Sequence, residues 1–473
     1  MADLRSTEQI EEHRDELKRV LGPGLLLLFI IGDILGTGIY ALTGTVAREV
    51  GGAVWLPFLI AFIVAVMTAF AYLELVTKYP HAGGAAVYTN RAFKIGFLTF
   101  MVAFTVMASG ITSASTASRA FAENFMRGFG LETNAGLVTL IALLFIALVT
   151  AVNLYGVGES VKVNVVLTLI ELSGLLIVIL VGFIAVANGR ADFSRTVVFD
   201  TPDDKGVFLA VSAATSVAFF AMVGFEDSVN MAEETKNPSQ IFPRIMLTGL
   251  MVTGIIYVLV SLTAVAIVPV GELTQTGATP LLTVVQMGAP GLPFGAIFPF
   301  ISMFAVANTA LINMLMASRL LYGMAKQRIL PPIFGKVLAG RRTPWFAIVF
   351  TAGLAALLIT FVGTVAQLGG TTALLLLAVF TLTNIAVLIL RKDKVDHEHF
   401  KAPTIIPIIA ALCTFYLVGP WTGRPLAQFQ IALILIGIGL VLGVVTFFVN
   451  KTYYGRTTEI KDLDLLKEEG IRN

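Results

Sequence analysis

The sequence predicts an all-α polytopic membrane protein with about twelve spans, two of them broken near mid-membrane. Three observations carry this. The 473 residues are 57% hydrophobic and only 13% charged, against about 25% charge in a soluble domain, and the mean hydropathy is +0.88. Apolar runs near the ~20 residues that a bilayer requires recur along the chain. Two of those runs, the first and the sixth, carry glycines beside carboxylates, although lipid tolerates neither loose backbone nor charge.

In chain order, residues 7–20 read as a charged, amphipathic cytoplasmic helix rather than a cleavable signal. Spans follow at 24–47, 53–77, 95–125, 136–154, 160–187, 207–232, 241–268, 293–323, 344–362, 366–390, 403–420 and 427–449. Lys and Arg concentrate in alternate loops. The loop after span 8 holds Lys326, Arg328, Lys336, Arg341 and Arg342, whereas the loops after spans 7 and 9 hold none. The positive-inside rule then puts both termini in the cytoplasm. Residues 79–91, with Pro80, Gly83 and Gly84, are expected to form a short cytoplasmic re-entrant or surface helix, and residues 279–287 a short apolar piece outside.

Span 1 reads I-I-G-D-I-L-G-T-G-I-Y-A-L-T-G over residues 30–44. Gly36 and Gly38 each weaken a helix by about 1 kcal/mol relative to Ala, and Asp33 is costly in hydrocarbon. The reading is two half-helices whose exposed amides and carbonyls face a polar solute. G-T-G-I-Y-A also matches the G-x-G-x-x-A of a dinucleotide-binding turn, but that turn needs a preceding strand and a soluble βαβ unit. Close helix packing through small residues is the other reading. Span 6 carries Gly224, Glu226 and Asp227 in F-F-A-M-V-G-F-E-D-S-V-N. Two breaks five spans apart are what an inverted five-helix repeat produces. The halves would be residues 21–190 and 205–392, with spans 11 and 12 (403–450) outside the repeat and a cytoplasmic tail at 451–473.

The single Cys413 and four histidines form no catalytic or metal constellation within the spans, so an enzyme is not expected. No cofactor and no nucleic-acid partner are expected either. The remaining classes are a carrier, a channel and a transporter-like sensor. Polar residues concentrated at two breaks favour the carrier over a continuous pore.

Three groups of residues together resemble the amino acid–polyamine–organocation (APC) transporters. They are G-T-G-I at residues 36–39, G-F-E at 224–226 followed by E-T-K-N-P at 234–238, and Ser318 and Arg319 followed by I-L-P at 329–331. The resemblance spans nearly the whole chain. It implies the LeuT-type fold with 5+5 inverted repeats, and transport of amino acids or related amines across a cell membrane by alternating access. It places the substrate carboxylate on the amides of Gly36, Thr37 and Gly38, where a helix N-terminus favours an anion. It places the ammonium at carbonyls of Ile34, Phe220, Ala221 and Val223. Phe220 matches the family's aromatic gate and Glu226 its acidic position in span 6.

Departures from the family pattern matter as much. Where some cationic amino acid carriers have a Glu in span 3, this chain has Ala108. Ala108, Ser109 and Thr112 are therefore expected to line an uncharged side-chain pocket suited to a small or medium neutral L-amino acid. Where many proton-coupled members have a Lys in span 5, this chain has Glu171. Burial disfavours the charged form of a carboxylate, so Glu171 and Asp33 are expected to couple transport to protons and to titrate as a pair. Asn308 and Thr309 in span 8 either complete that ion site or serve as interhelical hydrogen-bond residues. The alternatives are Na⁺ held by the ionised Asp33 and Glu171, and an uncoupled exchanger of amino acids, polyamines or related amines.

Overall fold

The computed structural model describes residues 22–454, apart from 81–82, 133, 156–159, 202–204, 233–234, 327–329, 339–340, 342 and 363. The expected N-terminal helix and residues 455–473 of the tail lie outside the described residues. Span 1 is two helices, α1 (Pro23–Ile34) and α2 (Thr37–Val50), divided at Leu35 and Gly36. Spans 2 to 5 are α3 (Trp55–Lys78), α5 (Gly96–Gly128), α6 (Ala135–Tyr155) and α7 (Ser160–Ala187). The short helix α4 (Gly84–Phe93) lies between spans 2 and 3.

Span 6 opens with α8 (Val207–Ala218) and continues as a 3₁₀ turn, Phe219–Met222. Beyond its break the described residues form a second 3₁₀ turn, Asp227–Met231, where a second half-helix is expected. The polar run explains this: the Ser228 hydroxyl donates to the Phe225 carbonyl at 2.6 Å, a local bond that competes with helix propagation. Span 7 is α9 (Pro238–Ile267), followed by α10 (Val270–Leu273) and α11 (Pro280–Gly288). Spans 8 to 12 are α12 (Phe294–Lys326), α13 (Trp345–Phe361), α14 (Val365–Leu390), α15 (Ile405–Val418) and α16 (Leu426–Tyr454). Ten spans are long and apolar enough to cross a bilayer, and α13 and α15 are shorter apolar helices.

The packing order explains how the two breaks come together. Span 1 packs on span 6, span 2 on 7, span 3 on 8 and span 4 on 9, with span 3 against span 8 the most extensive contact. Contacts between counterparts of the two halves are what an inverted 5+5 repeat produces. Leu140, Leu144 and Leu148, four residues apart on α6, are all exposed; this apolar stripe faces lipid rather than protein.

A charged clasp ties the C-terminal end of span 2 to span 10 and the chain entering span 11. Arg391 donates from Nε to Glu74 Oε1 at 2.8 Å and from Nη2 to Glu74 Oε2 at 2.7 Å. The Ala402 amide also donates to Glu74 Oε2, at 2.9 Å, and Lys78 Nζ donates to the Leu390 and Asp393 carbonyls at 2.6 Å each. Arg391→Ala strands the buried Glu74 without its cation, and a destabilisation of about 3 kcal/mol is expected. Thermal unfolding of the purified protein measures it, and an unchanged midpoint would show that the clasp is not structural.

Candidate functional site

The two breaks touch at glycines. A Cβ on Gly38 would sit 2.3 Å from Ala221 Cα, and one on Gly224 would sit 2.7 Å from the backbone carbonyl of Asp33. Gly224 has a φ of 125°, a region that residues with a side chain avoid. Span 6 therefore lies directly on the broken part of span 1, because neither crossing point carries a side chain.

Between the breaks is a small cavity, about 10 Å³, the size of roughly one water. The structure brings to it Asp33, Ile34, Gly36, Thr37, Gly38, Phe220, Val223 and Thr309 of the residues singled out in the sequence. Ala221 is behind it, against Gly38. A cavity of this size is too small to hold an amino acid. At the mouth of α2 the Thr37 amide donates to Thr309 Oγ1 at 3.2 Å, so a hydroxyl from span 8 sits where a substrate carboxylate is expected. The Ile34 carbonyl accepts the Tyr257 hydroxyl. Phe220 is buried and packs beside Gly369 of α14, closing one side of the cavity.

The pocket expected from Ala108, Ser109 and Thr112 is not at this cavity. The Thr112 and Thr372 hydroxyls are 2.7 Å apart, which turns Thr112 towards span 10, and the Ser109 hydroxyl donates to the Val106 carbonyl at 2.6 Å. Span 3 instead reaches the cavity with Ser113. Each helical residue rotates about 100° from the last, so Ser113 points away from its neighbour Thr112 and sits one turn beyond Ser109. Asn313, Gly224 and Asp227 also line the cavity without having been singled out as binding residues. Asn313 follows Thr309 by one turn on the same helix face, a spacing that could have found it. Glu226 lines a second cavity with Tyr72, Gly84 and Asn230, and its Oε2 accepts the Gly224 amide at 2.8 Å, bracing the break.

Glu171 is fully buried in α7, and neither of its carboxylate oxygens has a hydrogen-bond partner among the described residues. The Asn308 side chain faces it. Asn308 Nδ2 donates to the Gly32 carbonyl at 3.4 Å, and Asn164 Nδ2 donates to Asn308 Oδ1 at 3.2 Å, so Asn308 links spans 5 and 8 to the end of α1. The Tyr40 hydroxyl donates to the backbone carbonyl of Glu171 at 2.6 Å. Asp33 is 5% exposed and its Oδ2 is also unpartnered. Asp227, Glu226 and Glu171 are the carboxylates within electrostatic reach of it. Glu171 stays within electrostatic reach of Asp33, and the Gly224 backbone resting on Asp33 adds Asp227 and Glu226 of span 6 to the same cluster.

A family model described as amino acid permease matches residues 25–452. The chain is similar to the methylthioribose transporter of Bacillus subtilis (strain 168), at 30% identity over 85% of this chain and 88% of that protein. It is similar to the branched-chain amino acid permease BcaP of the same organism, at 28% identity over 90% and 92% of the two chains. It also resembles the chloroplastic cationic amino acid transporter 9 of Arabidopsis thaliana, at 34% identity over 68% of this chain and 58% of that one.

Proposed function

The chain belongs to the amino acid permease family, and from that premise we propose that it takes up small or medium neutral L-amino acids by proton-driven alternating access. The observation that carries the reading is the single cavity formed where both breaks meet. The N-terminus of α2 supplies donors for a carboxylate, and the side-chain wall from spans 3 and 8 is the uncharged Ser113 and Asn313. The relatives' printed substrates, branched-chain and cationic amino acids among them, do not choose between classes. The repeats at 21–190 and 205–392 would supply the moving parts, and spans 11 and 12 would flank them. The protein would sit in the cell membrane with both termini cytoplasmic, as the positive loops favour.

Coupling is assigned to Glu171. A buried carboxylate without a hydrogen bond or cation is too costly to keep ionised. In the closed conformation Glu171 would hold a proton, and release it when the site opens to water.

Radiolabelled uptake into proteoliposomes tests the whole reading. Alanine or leucine should accumulate faster under an inward proton gradient, with sodium making no difference. Uptake of arginine or putrescine alone would overturn the neutral substrate. Acceleration by sodium alone would replace the proton with Na⁺ at Asp33 and Glu171. Binding without uptake or counterflow would make the protein a sensor.

A further inference from the structure

We propose that Asp33 is a substrate-binding residue, its carboxylate holding the α-ammonium of the amino acid, so that a charged amine is the group this site selects for. The inference rests on the permease reading and deepens it, since the carbonyls expected to bind the ammonium are partly engaged. The Ile34 carbonyl takes the Tyr257 hydroxyl, and the Phe220 carbonyl takes the Val223 amide at 3.3 Å. Asp33 lines the same cavity, is 5% exposed, and has an oxygen with no partner among the described residues.

Charge balance points the same way. Asp33 and Asp227 line the cavity and no Lys or Arg does, while Glu226 and Glu171 lie within electrostatic reach. Buried carboxylates of one sign need a cation or protons to persist. An ammonium is about the size of the one water that the cavity admits. It would meet Asp33 at the C-terminal end of α1 while the carboxylate of the same molecule takes the Thr37 amide from Thr309. The two ends of α1 and α2 that face the break have opposite partial charges, so a zwitterion fits with its ammonium towards α1. Asp33 is assigned over Asp227 because its unpartnered oxygen is buried at the C-terminal end of α1, the end that favours a cation. Glu171 remains the coupling group, and Asp33 leaves that role.

The test compares each amino acid with the isosteric acid in which a hydroxyl replaces the amine: L-alanine with L-lactate, and L-leucine with L-2-hydroxy-4-methylpentanoate. Binding to detergent-purified wild type and Asp33→Asn is measured by calorimetry, in sodium buffer and in choline buffer. Wild type should prefer the amino acid, and Asp33→Asn should bind it about 100-fold more weakly, as removal of one partner of a buried charge pair implies. The hydroxy acids should bind both proteins alike, so the preference collapses in the variant. If Asp33→Asn keeps the wild-type preference, or loses only a sodium dependence, the assignment is overturned. Should the variant not fold, wild type alone decides. Leucine should slow labelling of Asp33 by dicyclohexylcarbodiimide, read by mass spectrometry, and the hydroxy acid should not; equal protection by both overturns the proposal. Wild type that binds none of the four overturns the neutral amino acid reading itself, and Asp33's role with it.

Discussion

Gly38→Ala is expected to abolish amino acid uptake. The new Cβ would lie 2.3 Å from Ala221 Cα, 2.6 Å from its Cβ and 2.8 Å from its amide nitrogen. Two of those three atoms are backbone, so no flexible side chain can swing aside. Overpacking typically costs about 1–3 kcal/mol, and here the strain falls between the two halves of the binding site. The expected variant is folded and monodisperse in detergent, with uptake in proteoliposomes at background. A control separates this from a general intolerance of alanine: a Cβ on Gly353, within α13, meets nothing within 4 Å, so Gly353→Ala should transport like wild type. Uptake by Gly38→Ala at wild-type affinity would show that the breaks need not touch.

Glu171→Gln is expected to remove all acceleration by an inward proton gradient while leaving counterflow of substrate intact. Glutamine keeps the size of the side chain and cannot exchange a proton. Glu171 has no cation paired with it among the described residues, and the side chain facing it, Asn308, is neutral. An uncharged amide should therefore settle in its place without strain. Uptake driven by proton gradients of either direction, compared between wild type and variant, measures the effect. A variant that still responds fully to the gradient would show that another group carries the proton.

The positions of the breaks were legible because they are written in local chemistry. Gly36 and Gly38 beside Asp33 weaken a continuous span, and the helix ends within two residues of Gly36. The same holds for Gly224 with its positive φ. The loop helices were legible too: residues 79–91 and 279–287 were expected, and Gly84–Phe93 and Pro280–Gly288 form. Helix ends elsewhere shifted by a few residues, as in span 11, where 403–420 was expected and Ile405–Val418 is helical.

The sequence by itself determined that this chain crosses the membrane many times, and where two spans must break, since hydropathy and glycine content act over a few residues. Only the tertiary structure decided which side chains share a site. The rotation of span 3 sends Thr112 to Thr372 and leaves Ser113 at the cavity, a choice made by a helix 260 residues away. The Gly224 backbone resting on Asp33 brought Asp227 to the same cavity. The Glu74–Arg391 clasp joins residues 317 apart, with no local pattern to announce it. These outcomes depend on how helices rotate and pack against one another, and side-chain packing between distant segments leaves no period in the chain.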